Sequence, residues 1–547
     1  MRVAKRVGLL GVIAAAVWLG VRAGQGRVPI PDCLTKAVVD IIDPGISPTS
    51  PSKHFEVSIE LGDVCVSVVE ARFLSVAIDI SLVVGGHWWS PSGEVEAIGG
   101  SRVPPLDLTN SKLRDLARAL APAYLRIGGT EADKIFYSVG QPEFRGARPS
   151  GELTLTRNRW DGLFEFVRST QLALVFTLSA GPNSRDSHRR WNGENAEQLL
   201  RYAQSHHQRI EVIEFGNEIN GYWFTFGPSQ QPSGAQVAAD LGRLRALVRQ
   251  YAPYAKIAGP GEFYWPRLGS PLKSQFAVLP GLLDADRGRN LDIITWHYYP
   301  QQSRRCPVAT RRASLTGLMN PSGLDEILRW SSEIEALRDQ FAPGLPVWLG
   351  ETGNAQCGGE PGVSDRFASS LWWLDHLGLL AVHGQSVVVR QALVGSDYGL
   401  LDAVTQEPRP DYFASLLHKR LMGRVVLDVR RRGEADPFLR IYAQCAPKKL
   451  GKEPGAVTIL AINLHQREAS VLKWPTAAGL SIDSYQVDAP SLRSPVARLG
   501  GRPMKASAGR IALEPHRVQF TGEYSLAPAS YAFLVAEISA PACIEDP

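Results

Sequence analysis

Eight short β-branched or apolar runs, alternating with amphipathic stretches, divide the chain between residues 73 and 423. They read FLSVAID (73–79), AYLRIGG (123–129), LALVFTLSAG (172–181), EVIEFGNE (211–218), AKIAGPGE (255–262), DIITWHYY (292–299), PVWLGETG (346–353) and SVVVRQALVG (386–395). Candidate helices at 111–120, 235–250, 324–340 and 364–380 fall between them. This alternation specifies a parallel sheet wrapped by helices. Eight β/α units is the count for closure, so the expected fold class is α/β, a (β/α)8 TIM barrel. After residue 423 the texture changes to alternating strands such as FLRIYAQC, AVTILAINL and YAFLVAEIS, which read as an attached antiparallel β-sandwich. Residues 27–70 share that texture and are expected to pair with the C-terminal strands. The expected organisation is therefore 1–26 as an export segment, 27–70 as sandwich strands, 71–423 as the barrel and 424–547 as the sandwich. The Gly-, Pro- and Arg-rich stretch 140–152 is expected to be a loop.

At 547 residues, 44% hydrophobic and 21% charged, the chain has the composition of a globular protein with more than one domain. A net charge of +5 favours anionic ligands mildly and falls far short of a nucleic-acid-binding surface, so no nucleic-acid partner is expected. Lys5 and Arg6 precede the uncharged apolar run 7–21, which is short of the roughly 20 residues of a membrane span. A signal peptide or an uncleaved N-terminal anchor follows, with an exported protein, secreted or periplasmic. In that compartment the six cysteines, none at metal-ligand spacing with a histidine, read as disulfides. No metal and no organic cofactor is expected.

In a barrel of this kind the chemistry sits at the C-terminal ends of the strands, so an acidic residue ending an apolar strand needs a reason. Glu218 closes the fourth run in FGNEIN and Glu351 the seventh in WLGETG. Two carboxylates facing each other across a sugar can serve as general acid and nucleophile, and a separation of about 5–5.5 Å permits the double displacement that retains anomeric configuration. An Asn-Glu pair ending strand four and a Glu ending strand seven resembles the large clan of retaining barrel glycosidases. That resemblance implies Glu218 as acid/base, Glu351 as nucleophile and Asn217 as a hydrogen-bonding partner of the sugar 2-hydroxyl.

The segments YLRIGGTEAD (124–133), TWHYY (295–299), WLGETGNAQCGGEPGVSDRFASSLWWLDHLGL (348–379), VVVRQALVGSDYGLLD (387–402) and RPDYFASLLHKRLMG (409–423) resemble the heparanase family of glycoside hydrolases, family 79. LRIYAQC, ILAINLH and PACI extend the likeness toward the C-terminus. The resemblance implies that Asp79 and Thr130 bind a glucuronosyl ring. It implies that Tyr299 contacts the nucleophile, with Tyr298 the alternative if the register of WHYY slips by one. It also implies that Gly358, Gly359 and Tyr398 grip the sugar carboxylate. The animal enzymes have Tyr-Gly-Gly where this chain has Gln356, Cys357 and Gly358, so one glycine of the clamp loop is replaced by cysteine. A Cys445–Cys543 bridge follows from the family's C-terminal disulfide. Cys306, in the loop after strand six, and Cys357 would share one rim of the barrel and are expected to pair, leaving Cys33–Cys65 by elimination.

Arg304, Arg305, Arg311 and Arg312 flank Cys306, and Arg185, Arg189 and Arg190 fall after strand three. Both loops should open on the catalytic face, where guanidinium groups could meet sulfates or carboxylates. The implied function is hydrolysis of β-linked glucuronic acid in a glycosaminoglycan such as heparan sulfate. The implied enzyme is monomeric and, lacking the long excised linker of the animal proteins at 140–152, works as a single chain. One alternative is an exo-acting β-glucuronidase that removes a terminal glucuronate. The other is a non-catalytic glycosaminoglycan-binding protein.

Overall fold

The eight runs form eight parallel strands that close into a barrel in chain order: Leu74–Asp79, Tyr124–Gly128, Ala173–Leu178, Val212–Phe215, Lys256–Tyr264, Ile293–Tyr298, Val347–Thr352 and Val387–Gln391. The eighth strand pairs with the first, Val388 opposite Leu74. These features come from a computed structural model, which describes residues 55–89, 100–140, 153–270, 277–433, 436–506 and 513–544. The signal or anchor at 1–26, Cys33, and nearly all of the loop expected at 140–152 lie outside the described residues. Among the described residues no helix is long and apolar enough to cross a membrane.

Side chains alternate across each strand, so one set fills the barrel and the other meets the surrounding helices. Ala77, Tyr124, Ala173, Val175, Val212, Ala258, Ile293, Trp348, Val387 and Val389 make the interior cluster. Val76, Ile78, Leu125, Ile127, Leu174 and Phe176 belong to the outer one. Two steps beyond Ala77, Tyr124, Val175, Val212 and Ile293, the same alternation carries Asp79, Arg126, Thr177, Glu214 and Thr295 inward. The mouth of the barrel is polar because the interior set changes character there.

The second domain also takes strands from both ends of the chain. Phe55–Val68 pairs antiparallel with Val425–Arg432 and parallel with Ser470–Lys473, within an 11-stranded sheet. The sheet is thus mixed, since one pair in an otherwise antiparallel array runs parallel. Its core joins Val57 and Ile59 to Ile441, Ile459, Trp474 and Leu534. Helix Phe367–Val382 lies between barrel and sheet, buried from Phe367 to Ala381. Its buried Asp375 accepts from Arg440 Nε at 2.7 Å and from the Tyr442 hydroxyl at 2.6 Å, so a paired charge crosses the domain contact. Gly378 lets Tyr442 close on this helix, because a Cβ there would stand 2.3 Å from the ring.

Cys445 and Cys543 form a disulfide with Cα atoms 5.3 Å apart, and Cys306 and Cys357 another at 5.5 Å. Cys65 is exposed on the sheet strand Phe55–Val68.

Candidate active site

Glu351 faces the barrel interior because its strand carries an irregularity. Trp296 pairs with Leu349 but His297 pairs with Glu351, so Gly350 is an extra residue on the seventh strand. Such a bulge re-aims the side chain that follows it. Trp348 points in, Leu349 out, and Glu351 in again. Thr295 lies against the spot a Cβ on Gly350 would occupy, at 3.2 Å. Both oxygens of Glu351 are then held, one by Arg126 Nη1 at 2.8 Å and the other by the Tyr299 hydroxyl at 2.7 Å. Burial first, and then the neighbouring Glu351 charge, push the Tyr299 phenol well above its ordinary pKa, so it stays a donor. Tyr298 instead packs in the outer core beside Trp296.

Glu218 sits on a turn. Gly216 and Glu218 both adopt the left-handed region, with φ of 70° and 49°. A non-glycine residue rarely holds that conformation without outside support. The carboxylate is 22% exposed and meets His297 Nδ1 at 3.1 Å. Burial takes His297 down to about pKa 4, so near neutrality this imidazole is uncharged. Burial pushes Glu218 up to about 7, with Arg126 opposing the shift and Glu214 adding to it. A carboxyl poised near neutrality can deliver a proton in one step and recover it in the next.

Arg126 organises the floor between the two glutamates. Its side chain is 1% exposed, and its nitrogens reach Glu214, Glu351 and the Asn217 side-chain oxygen, each at 2.8 Å. Thr177 adds a 2.6 Å bond to Glu214. Sequence reasoning passed over Arg126, Glu214 and His297. The signal was present: a charged residue inside a run such as AYLRIGG must be paired if the strand is buried.

One oxygen of Glu218, one of Glu351 and a ring nitrogen of His297 all lie within 4.8 Å of one another. Three such ligands could hold a metal, but the Arg126 guanidinium already occupies one oxygen of Glu351 and would face any added cation. The donor set is that of an ion-paired carboxylate.

The two glutamates open on a cleft of roughly 990 Å³, its mouth included. Asp79, Thr130, Asn217, Tyr299 and Tyr398 line it together, and Trp88, Trp89, Trp223 and Trp265 supply flat apolar walls of the kind that stack on sugar rings. Burial pushes Asp79 to about pKa 8, with the Glu351 and Glu131 charges adding to the shift and the Ser81 amide working against it. Tyr398 stacks on Tyr299 at 6.2 Å. In the clamp loop it is Gln356 and Cys357 that reach the cleft, with Gly358 and Gly359 a step behind. Gly358 must be glycine: its φ is 83°, and a Cβ would stand 2.2 Å from that of Trp89. Cys357 takes a φ of 61°, a glycine-like conformation, while its sulfur is tied to Cys306.

The rim arginines are each held by protein partners. Arg185 pairs with Asp240 and Arg190 with Asp186, while Arg189 donates to the Gln231 carbonyl. Arg304 pairs with Glu360, Arg305 with Asp397 and Arg311 with Glu326, while Arg312 donates to the Ser303 carbonyl. None of the seven lines the cleft. Carboxylates remote in sequence had not been counted, and they absorb most of this charge.

Comparison with known proteins agrees with this geometry. Residues 87–378 match the family described as glycosyl hydrolase family 79, N-terminal domain. Heparanase of Rattus norvegicus is 31% identical over 462 residues, covering 76% of this chain and 80% of that protein. The Mus musculus protein named inactive heparanase-2 is 28% identical over 407 residues, covering 72% and 66%. A family 51 arabinofuranosidase structure from Xanthomonas axonopodis pv. citri superposes with a TM-score of 0.62 at 16% identity, over 88% of this chain and 99% of that one, which is a likeness of fold. With its barrel, its paired glutamates and a match of this extent, the chain belongs to glycosyl hydrolase family 79, the heparanase type of glycosidase.

Proposed function

We propose that this protein is a retaining β-glucuronidase acting on a glucuronate-containing saccharide of the heparan sulfate kind, exported to where that substrate lies. The observation that carries the reading is the pair Glu218 and Glu351. One oxygen of each lies within 4.8 Å of the other, so both carboxylates face the same small space and can act on one anomeric carbon. Their surroundings also differ as the two roles require.

In the first step a Glu351 oxygen attacks the anomeric carbon while Glu218 protonates the departing glycosidic oxygen. The bond to the leaving group breaks and a glycosyl ester forms on Glu351. Glu218, now a carboxylate, takes a proton from water as that water attacks the same carbon, and Glu351 is released. Asn217 has its side-chain oxygen fixed by Arg126 and is free to offer its amide N–H to the 2-hydroxyl. Asp79, protonated below about pH 8, donates to a ring hydroxyl, and Thr130 does the same from the neighbouring loop.

For the sugar carboxylate, the Tyr398 hydroxyl and the backbone near Gly358 and Gly359 are the candidates. The Gly358 carbonyl accepts from the Asp397 amide at 2.8 Å, so across the planar trans peptide the Gly359 N–H points the opposite way. Incubating the protein and its Glu218→Gln and Glu351→Gln variants with an aryl β-glucuronide tests the assignment. Turnover lost in both folded variants supports it, and normal turnover in both would overturn the assignment of these two glutamates as the catalytic pair.

One observation favours the exo-acting alternative. Among the described residues neither lysine nor arginine lines the cleft, and the rim arginines are already partnered. A site built this way suits a terminal or sparsely sulfated glucuronate better than a densely sulfated chain. Size-defined heparan sulfate separates the modes: medium-length fragments mark endo cleavage, and monosaccharide alone marks exo.

A further inference from the structure

Behind the Glu218 turn lies Asp133, a buried carboxylate in the short helix Thr130–Lys134 that follows the second strand. It touches neither the cleft nor the paired glutamates. One oxygen accepts the Ala180 amide at 2.9 Å, just past the end of the third strand. The other accepts the Asn217 amide, also at 2.9 Å, just past the end of the fourth. Its own carbonyl accepts from the Ser179 hydroxyl at 3.1 Å and stands so near Gly181 that a Cβ there would come within 2.1 Å. One aspartate thus laces three consecutive strand ends together at the layer from which Glu218 projects.

The Asn217 bond matters most, because Asn217 stands between two left-handed residues, Gly216 and Glu218. A glutamate with φ of 49° is held there by its neighbours rather than by its own preference. Asn217 is gripped twice, at its amide by Asp133 and at its side chain by Arg126. The first grip sets the backbone that aims Glu218, and the second sets the contact with the sugar.

We infer that Asp133 is a positioning residue for proton transfer: by holding the Asn217 amide it fixes the path along which Glu218 reaches the glycosidic oxygen. The inference rests on the reading of Glu218 as acid/base. No side chain replaces aspartate fully, since asparagine has one oxygen for two amides and must turn its NH2 toward the other. The Asn217 turn then relaxes, and Glu218 loses its aim while Glu351, on a separate strand, keeps its own.

The test uses aryl β-glucuronides of graded leaving-group acidity. A leaving group as good as 2,4-dinitrophenolate departs without a proton, whereas phenolate needs one. For Asp133→Asn, kcat/KM should fall by about tenfold to a hundredfold on the phenyl substrate and stay within about threefold of wild type on the dinitrophenyl one, as displacement of a catalytic group by about 1 Å entails. A general loss of structure would lower both equally. Asp133→Ser, smaller and still able to serve one amide, reads the same ratio should Asp133→Asn fail to fold. Tyr137→Phe removes the neighbouring bond to the Ser179 amide and should leave the ratio unchanged. The Glu218→Gln variant separates the two claims. If it shows the leaving-group dependence and the Asp133 variants do not, Asp133 is merely structural; if Glu218→Gln itself lacks the dependence, the acid/base reading fails.

Discussion

Two walls of one cleft carry the two glutamates, and they are built on different plans. The Glu351 wall is strand: a bulge at Gly350 turns the carboxylate inward, and a guanidinium and a phenol fix one oxygen each. The Glu218 wall is a left-handed turn whose carboxyl meets an uncharged imidazole and remains in part open to the cleft. A nucleophile gains from a fixed, ion-paired anion, whereas an acid/base must change charge twice per cycle and so cannot be tied to a permanent cation. Arg126 reaches the first and stops short of the second, and the proposed roles rest on that asymmetry.

The comparison can be broken most severely on the strand side. Glu351→Ala should lower kcat on an aryl β-glucuronide by about 10⁴-fold or more. Turnover within tenfold of wild type would mean that the charged wall is not the reacting one. Arg126→Met strands Glu214 and Glu351 as buried, unpaired carboxylates, which should cost about 3–5 kcal/mol in denaturant unfolding. A loss below about 1 kcal/mol would show that the arginine does not organise the floor. Tyr299→Phe removes one bond to a charged group, worth about 1.5–3 kcal/mol, so kcat should drop by about tenfold to a hundredfold.

On the turn side the comparison is sharpened by pH. The acid form of Glu218 is needed for the first step, so kcat/KM should decline above a midpoint near 7. The same shift is a stability statement. The folded pKa is raised, so the carboxyl's contribution is fully present below its unfolded value near 4.5 and is lost as pH rises through about 7. Glu218→Gln, which stays neutral, should therefore be more stable than wild type by about 1–3 kcal/mol at pH 8, the gain vanishing at pH 4. Equal unfolding curves at both pH values would remove the buried-acid account. Smallest of all, Arg304→Ala at the exposed rim should alter kcat/KM by less than about threefold, as exposed pairs are worth about 0–1 kcal/mol. A large loss on heparan sulfate fragments would restore the rim to the substrate path.

The barrel was legible because buried parallel strands interrupted by amphipathic helices leave a pattern that few other folds share, and a glutamate ending such a strand stands out. Helix limits moved by a few residues, 364–380 becoming Phe367–Val382, since end residues answer to packing as much as to sequence. Arg126 and His297 were hidden inside apolar runs, where a polar residue reads as noise until its partner on another strand is known. Asp133 closes the YLRIGGTEAD motif with no role legible in the sequence, because its bonds are to the amides of Ala180 and Asn217, and only the fold brings those within reach. The rim arginines show the same effect in reverse: partners such as Glu360 and Asp397 lie far along the chain and pair with charges that look free locally.

Proton NMR of the reaction mixture in its first minutes, before mutarotation, tests the central claim most directly. With an aryl β-glucuronide as substrate, the account predicts that the β-anomer of glucuronic acid forms first and the α-anomer follows only as the sugar equilibrates. Initial release of the α-anomer would contradict it, since a single displacement by water cannot use Glu351 as the group that bonds to the sugar.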